Sequence, residues 1–345
     1  MKSRLPLTLA ALGVLLVTTL LATAGPPPAQ ALTRDVPSFA RHDVDDSLTW
    51  ADACVADLDG DGHDDIVAGE GVLSENGYVA WWENDGTPAD GGWTEHPIAT
   101  VYLAIGAVHV SDLDDDGDPD VIAAAAGRFS GYGIIVWWEN DGSPGNGGWT
   151  EHIVEDTFDG ASDVTTADVD GDGDLDVIGA AYNEGTFAWW SSDGTPADGG
   201  WTQHLIADSL AGPSAVVAAD LNGDTHVDIV GTVAGDYMAG DGLVAWWRSD
   251  GTPTNGGWIS QTLATNFGLA SGVHVADLDD DQDPDVLAVG AHAYEFTWWE
   301  NDGTGSLTKR ALSGDYEYAH DVNAAELDCD GDMDVLAAST TDGAA

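Results

Sequence analysis

Hydrophobic and polar positions along the chain fall into a pattern that recurs about every fifty residues, and inside each copy the period is two. In one copy, Ala107–Leu113 (AVHVSDL) alternates as a half-buried strand does. Asp120–Ala126 (DVIAAAA) is a brief apolar run of the kind buried on both faces. Gly133–Glu139 (GIIVWWE) is β-branched and aromatic, Asn140–Gly148 (NDGSPGNGG) is turn chemistry throughout, and Trp149–Val154 (WTEHIV) supplies a fourth strand. No stretch sustains a helical period, so the pattern predicts an all-β chain.

The copies are counted by an acidic loop between the first and second strands. These loops begin at Asp57, Asp112, Asp168, Asp220, Asp277 and Glu326, separated by 55, 56, 52, 57 and 49 residues. Four short strands per unit, repeated in phase, predict a β-propeller of four-stranded blades with six repeats visible. The segment Phe39-Ala40-Arg41-His42 shares its aromatic-to-His spacing with Trp93–His96, and reads as an orphan fourth strand that completes the last blade. After Asp334–Ala337 the chain reaches Ala345 before the expected Trp-Trp strand. The last blade therefore reads as incomplete and the chain as a fragment of a longer protein.

Loop spacing carries the chemistry. Loop one offers Asp57, Asp59, Asp61, His63 and Asp65; loop two Asp112, Asp114, Asp116, Asp118 and Asp120; loop three Asp168, Asp170, Asp172, Asp174 and Asp176. Loop four offers Asp220, Asn222, Asp224, His226 and Asp228; loop five Asp277, Asp279, Asp281, Asp283 and Asp285; loop six Glu326, Asp328, Asp330, Asp332 and Asp334. Positions 1, 3 and 5 of a tight loop turn inward, and glycine at position 6 permits a left-handed bend. The carbonyl of position 7 and a carboxylate at position 9 complete an oxygen cage, which suits Ca²⁺ at about six sites, one per repeat. Thr225 and Gln282 stand where the other loops have glycine, so loops four and five are expected to be weakest. The alternative is a set of solvated Asp-Gly turns.

The loops, each followed by an apolar strand such as Asp176-Val177-Ile178-Gly179-Ala180, resemble FG-GAP/VCBS repeats, the units of integrin α-subunit propellers and many secreted bacterial proteins. The resemblance covers residues 33–345. It implies a seven-bladed propeller with calcium between the first and second strands of a blade, and roles in adhesion, ligand binding and scaffolding. Some family members are attached to carbohydrate-active enzymes. Six loops rather than seven is the departure from that pattern.

Charge then constrains partners. The chain has 62 Asp plus Glu against 8 Lys plus Arg, a formal net charge of −54. Such a surface repels phosphate backbones and anionic lipid, which excludes nucleic acid and membrane surfaces as partners. The six loops hold 30 of the 62 acids, so cations account for about half of the acidity, and the excess elsewhere suggests a saline habitat. Lys2 and Arg4, an apolar run from Leu5 to Ala24, and Ala29-Gln30-Ala31 read as a signal peptide over residues 1–31 with the propeller over 32–345. An uncleaved anchor is the alternative. The mature chain is expected outside the cytoplasm, secreted or at the cell surface, without membrane insertion. Cys54 and Cys329 could then pair.

Other recurring residues have structural explanations. Trp81-Trp82, Trp137-Trp138, Trp189-Trp190, Trp246-Trp247 and Trp298-Trp299 are expected to pack between blades; exposed indoles would instead make a carbohydrate-recognising, lectin-like or lyase-accessory propeller. His96, His152 and His204, with Gln261 in the next copy, recur in fourth strands and read as structural. Asp52, Asp163 and Asp321 precede their loops by five residues, His109 and His274 by three, and could ring a central channel. No catalytic signature appears, so the reading is a non-enzymatic binding or adhesion scaffold for a protein or glycan ligand, possibly part of a larger surface protein.

Overall fold

The computed structural model describes residue 44 and residues 51–70, 77–88, 93–101, 103–127, 132–236, 240–291, 296–312, 319–327 and 331–339. Residues 1–31, expected to be a signal peptide, Phe39–His42, Cys329 and two members of loop six, Asp328 and Asp330, lie outside them.

The first sheet comprises β1 (Ala51–Ala56), β2 (Asp65–Glu70), β3 (Gly77–Glu83) and β4 (Thr94–Val101), paired antiparallel in sequence order. The second comprises β5 (Ala104–Ser111), β6 (Asp120–Ala126), β7 (Gly133–Glu139) and β8 (Thr150–Glu155); the third β9 (Ala161–Ala167), β10 (Asp176–Ala181), β11 (Thr186–Ser191) and β12 (Thr202–Ala207). The fourth is β13 (Pro213–Ala219), β14 (Asp228–Val233), β15 (Leu243–Arg248) and β16 (Ile259–Thr265), and the fifth β17 (Ala270–Ala276), β18 (Asp285–Gly290), β19 (Phe296–Asn301) and β20 (Leu307–Leu312). The sixth sheet has two strands among the described residues, β21 (Ala319–Ala325) and β22 (Asp334–Ser339).

First strands pack against first strands, β1 on β5, β5 on β9, β9 on β13, β13 on β17 and β17 on β21, and second strands lean on the next first strand. This is the radial stacking of propeller blades. The second strands are buried along most of their length, Val121–Ala125 and Asp176–Ala181 completely, because both faces meet a neighbouring blade. Hydroxyls on the first strands knit the seams: Ser162 donates to the Pro213 carbonyl at 3.0 Å, Ser214 to Ala270 at 2.7 Å and Ser271 to Ala319 at 3.1 Å.

All ten paired indoles are buried, at most 5% exposed. The two members of a pair face opposite seams: Trp137 packs with Trp190 between blades two and three, while Trp138 packs with Trp81 between blades one and two. Alternation along the strand makes each pair a two-sided wedge. This corrects the carbohydrate alternative in its stated form, because the paired indoles offer no exposed stacking surface.

Candidate metal centre

Each loop folds on its own carboxylates. In loop one the Asp61 and Gly62 N–H groups donate to the two oxygens of Asp57, at 3.0 and 2.9 Å; loop two repeats this with Asp116, Gly117 and Asp112 at 3.0 Å each. Position 5 in turn accepts from the N–H of position 7, as in His63 to Asp61 at 2.9 Å and Asp174 to Asp172 at 3.0 Å. The bend at position 6 is left-handed in every loop described there. Gly62, Gly117 and Gly173 have φ of 91°, 97° and 102°, and Thr225 and Gln282 are held at 71° and 75° without glycine's freedom.

Position 9 closes the loop from inside the fold. Asp120 is fully buried and accepts from Leu113 N–H at 3.0 Å and Asn140 N–H at 2.8 Å, tying the loop to the end of the third strand. Asp65, Asp176, Asp228 and Asp285 do the same with their own loop and third strand. Burial pushes the carboxyls of Asp120, Asp176 and Asp285 up to about 7 and Asp228 up to about 6, against the pull of those N–H groups. Position 3 is raised too, in Asp59, Asp114, Asp170 and Asp279, by burial first and then by the neighbouring loop acids.

Four loops bring three carboxylates together with ligand oxygens within 4.8 Å of one another: Asp57, Asp59 and Asp61; Asp112, Asp114 and Asp120; Asp168, Asp170 and Asp176; Asp277, Asp279 and Asp281. In two of them the position 3 carboxylate keeps a buried oxygen with no hydrogen-bond partner, Asp170 Oδ1 and Asp279 Oδ1. A buried anionic oxygen without a donor is held where a cation completes it. The donors are all hard carboxylate oxygens in a flexible loop, which fits Ca²⁺.

The side chains at position 7 point elsewhere. A Cβ on Gly86 would come within 2.7 Å of His63 Nε2, and one on Gly142 within 2.6 Å of Asp118 Oδ2; Asp174, His226 and Asp283 lie against Gly194, Gly251 and Gly303 in the same way. Position 7 covers the glycine of the next turn, leaving its carbonyl as the atom for the cage. Loop four forms no carboxylate triad: Asn222 replaces the acid at position 3 and donates its Nδ2 to Asp228 Oδ2 at 3.2 Å. Sequence reasoning missed a second left-handed residue at position 4, where Gly60, Asp115, Gly171, Gly223 and Asp280 have φ from 59° to 76°. The signal was present, since glycine and aspartate are the residues that tolerate it.

The polar residues before the loops bridge seams, and Asp52, Asp163 and Asp321, from blades one, three and six, also come near enough to repel one another. Asp52 accepts from Val108 N–H of the next first strand at 2.8 Å, and Asp163 from Val216 N–H at 2.7 Å. Burial raises Asp52 to about 6 and Asp163 well above the usual range; Asp52 and Asp321 add charge repulsion at Asp163. His109 lies 3.1 Å from Thr166 Oγ1, and burial lowers it to about 4. The recurrent His96, His152 and His204 stack on Trp81, Trp137 and Trp189 with ring centroids 4.4, 4.5 and 4.3 Å apart.

Radially stacked four-stranded sheets, each with an acidic loop between its first and second strands, define a propeller-type repeat protein. The FG-GAP-like repeat pattern matches residues 57–123, 112–179, 168–231 and 277–337, and the chain belongs to that family. The matches begin at the first residues of the four loops that assemble triads. No curated protein matches the chain. Among solved structures, the α-L-arabinofuranosidase Arb93A from Fusarium graminearum, a mutant in complex with an iminosugar inhibitor, is 12% identical, with 84% of this chain and 92% of that one covered and a TM-score of 0.52. That likeness supports the shared fold. The PQQ-bound aldose sugar dehydrogenase from Streptomyces coelicolor is 11% identical over 84% of this chain and 98% of that one, at a TM-score of 0.48. The V. cholerae biofilm matrix protein Bap1 is 18% identical over 76% of this chain, at a TM-score of 0.43, and the chain spans 39% of its length.

Proposed function

We propose that this protein is a secreted, calcium-loaded β-propeller that acts as a binding or adhesion scaffold and not as an enzyme. The observation that carries the reading is the cage repeated in four loops, with buried oxygens of Asp170 and Asp279 left for a cation. Titratable groups outside the loops support the scaffold reading: Asp52 and Asp163 are engaged with backbone N–H groups across seams, and His96 and His152 are stacked on buried indoles. In the cages Asp57, Asp112, Asp168 and Asp277 with their position 3, 5 and 9 partners would hold the ion, which supplies positive charge and no redox chemistry.

Titrating calcium and magnesium into chelator-treated protein by calorimetry tests the cation. Several calcium-selective sites are expected, and a flat isotherm at millimolar calcium would refute the reading. Protein and glycan arrays probed with the calcium-loaded chain test the scaffold role. A glycan ligand would use rings other than the paired indoles; among the described residues Tyr132 and Tyr182, 70% and 47% exposed on adjacent blades, are the most exposed aromatic rings, and the single Trp93, Trp149, Trp201 and Trp258 are partly exposed. N-terminal sequencing of protein from the medium checks export, with Leu32 expected first.

A further inference from the structure

The ladder between the second and third strands ends one residue short of the loop. Its last pairs are Ile66 with Trp82, Val121 with Trp138, Val177 with Trp190, Ile229 with Trp247 and Val286 with Trp299. One step further, the closing Asp of each loop stands beside the last residue after the Trp pair. That residue is Glu83, Glu139 and Glu300 in blades one, two and five, Ser191 in blade three and Arg248 in blade four. Cross-strand neighbours in an antiparallel pair lie about 5 Å apart at Cβ, and like charges placed so are destabilising. Three blades therefore set a second carboxylate against the closing one.

These glutamates are held in place. His96 Nε2 lies 2.8 Å from Glu83 Oε2, His152 Nε2 2.8 Å from Glu139 Oε2, and Arg310 Nε donates to Glu300 Oε2 at 2.5 Å. Each histidine is itself clamped flat on the first Trp of its pair, so the carboxylate is fixed relative to the loop. Blade four departs in every respect. Its position carries the opposite charge, its loop has Asn222 at position 3, and the Asn222 amide occupies the closing Asp228 oxygen.

We infer that the residue following the Trp pair sets how strongly its loop holds a divalent cation, with Glu83 and Glu139 strengthening binding, Arg248 weakening it, and Glu300 offset by its Arg310 partner. The loops are thereby graded: one and two strongest, three and five intermediate, four weakest. Loops four and five, both expected to be weakest for want of a glycine, are thereby separated, because loop five keeps its carboxylate triad. The inference rests on the cation reading above.

The test is calcium calorimetry on the full chain as wild type, Glu139→Gln, Arg248→Glu and, as a remote charge control, Asp208→Asn at an exposed position. Removing one charge near a divalent ion in a half-exposed site changes affinity by roughly threefold or more. Glu139→Gln is expected to weaken one site by that factor, Arg248→Glu to strengthen or add one, and Asp208→Asn to leave the isotherm unchanged, with intrinsic Trp fluorescence reporting occupancy in parallel. Wild-type binding that persists unaltered in both Glu139→Gln and Arg248→Glu overturns the inference while leaving the cation reading intact. A wild type that binds nothing overturns the cation reading itself. Should Glu139→Gln fail to fold, the exposed Arg248→Glu variant decides alone.

Discussion

Thr225 and Gln282 occupy φ of 71° and 75°, where a side chain costs about 1 kcal/mol and glycine almost nothing. Thr225→Gly and Gln282→Gly are each expected to raise stability by roughly 0.5–1 kcal/mol despite glycine's greater freedom in the unfolded chain. Denaturant melts at fixed calcium check this, and a lowered midpoint in both variants would contradict the strain. Asp120 is the opposite case. Its two oxygens satisfy two backbone N–H groups inside the fold, and Asp120→Ala strands both, at a cost of roughly 2–4 kcal/mol even with calcium saturating. The strained position 6 was legible from the glycines missing at Thr225 and Gln282. The tie from position 9 to Asn140 was not, because it joins residues twenty apart through a hairpin whose register the loop motif does not contain.

At the scale of elements, the strands were readable because each is short, periodic and bounded by turn residues. The intervals Asp120–Ala126 and Gly133–Glu139 coincide with β6 and β7, while the first strand begins earlier, at Ala104. The Trp pairs announced a buried third strand by their adjacency, yet which seam each ring fills depends on blade stacking. Trp137→Ala is expected to cost about 3–5 kcal/mol, and His152→Ala, which removes a half-buried ring and a tether to Glu139, about 1 kcal/mol. Thermal melts of the two variants should separate clearly; equal losses would show that the wedge is not the main contact. Glycines inside second strands had no local explanation. A Cβ at Gly231 would lie 2.6 Å from the Phe187 ring of the preceding blade, a neighbour more than forty residues away.

For the whole molecule, cations in the proposed cages would make stability a function of their concentration. Free calcium tenfold above each dissociation constant adds about 1.4 kcal/mol per site. Across several sites this is comparable to the net stability of a typical domain. Chelation should therefore lower Tm by roughly 10 °C at neutral pH, and an unchanged melt would refute structural cations. Without calcium the pH dependence has a definite sign. Asp120, Asp176 and Asp285, raised to about 7, and Asp52 and Asp228, raised to about 6, have folded values above their unfolded ones, so their contribution is complete below about pH 4 and lost as pH rises to 7. His109, lowered to about 4, acts in reverse, losing stability as pH falls through 6.5 toward 4. His204, His274 and His320, also lowered by burial, act with His109, but these five carboxylates together with the strongly raised Asp163 outnumber the four histidines, so chelated protein is expected to melt higher at pH 5.5 than at pH 8. A melt that falls on acidification over that range would contradict the balance.

By itself the sequence determined everything whose cause is local: the strand periodicity, the number of visible repeats, the left-handed bends, and the carboxylate spacing that gathers into triads. These follow from backbone sterics and from side chains within nine residues of one another. Tertiary structure decided what depends on which blade lies next to which: the opposite seams filled by each Trp pair, the reach of Asp52 to Val108 and of Asp163 to Val216, and the glutamates set beside three closing aspartates. The reason is physical. A repeat encodes its own hairpins, but the partners of its outward faces come from another copy, and only packing fixes the register between them.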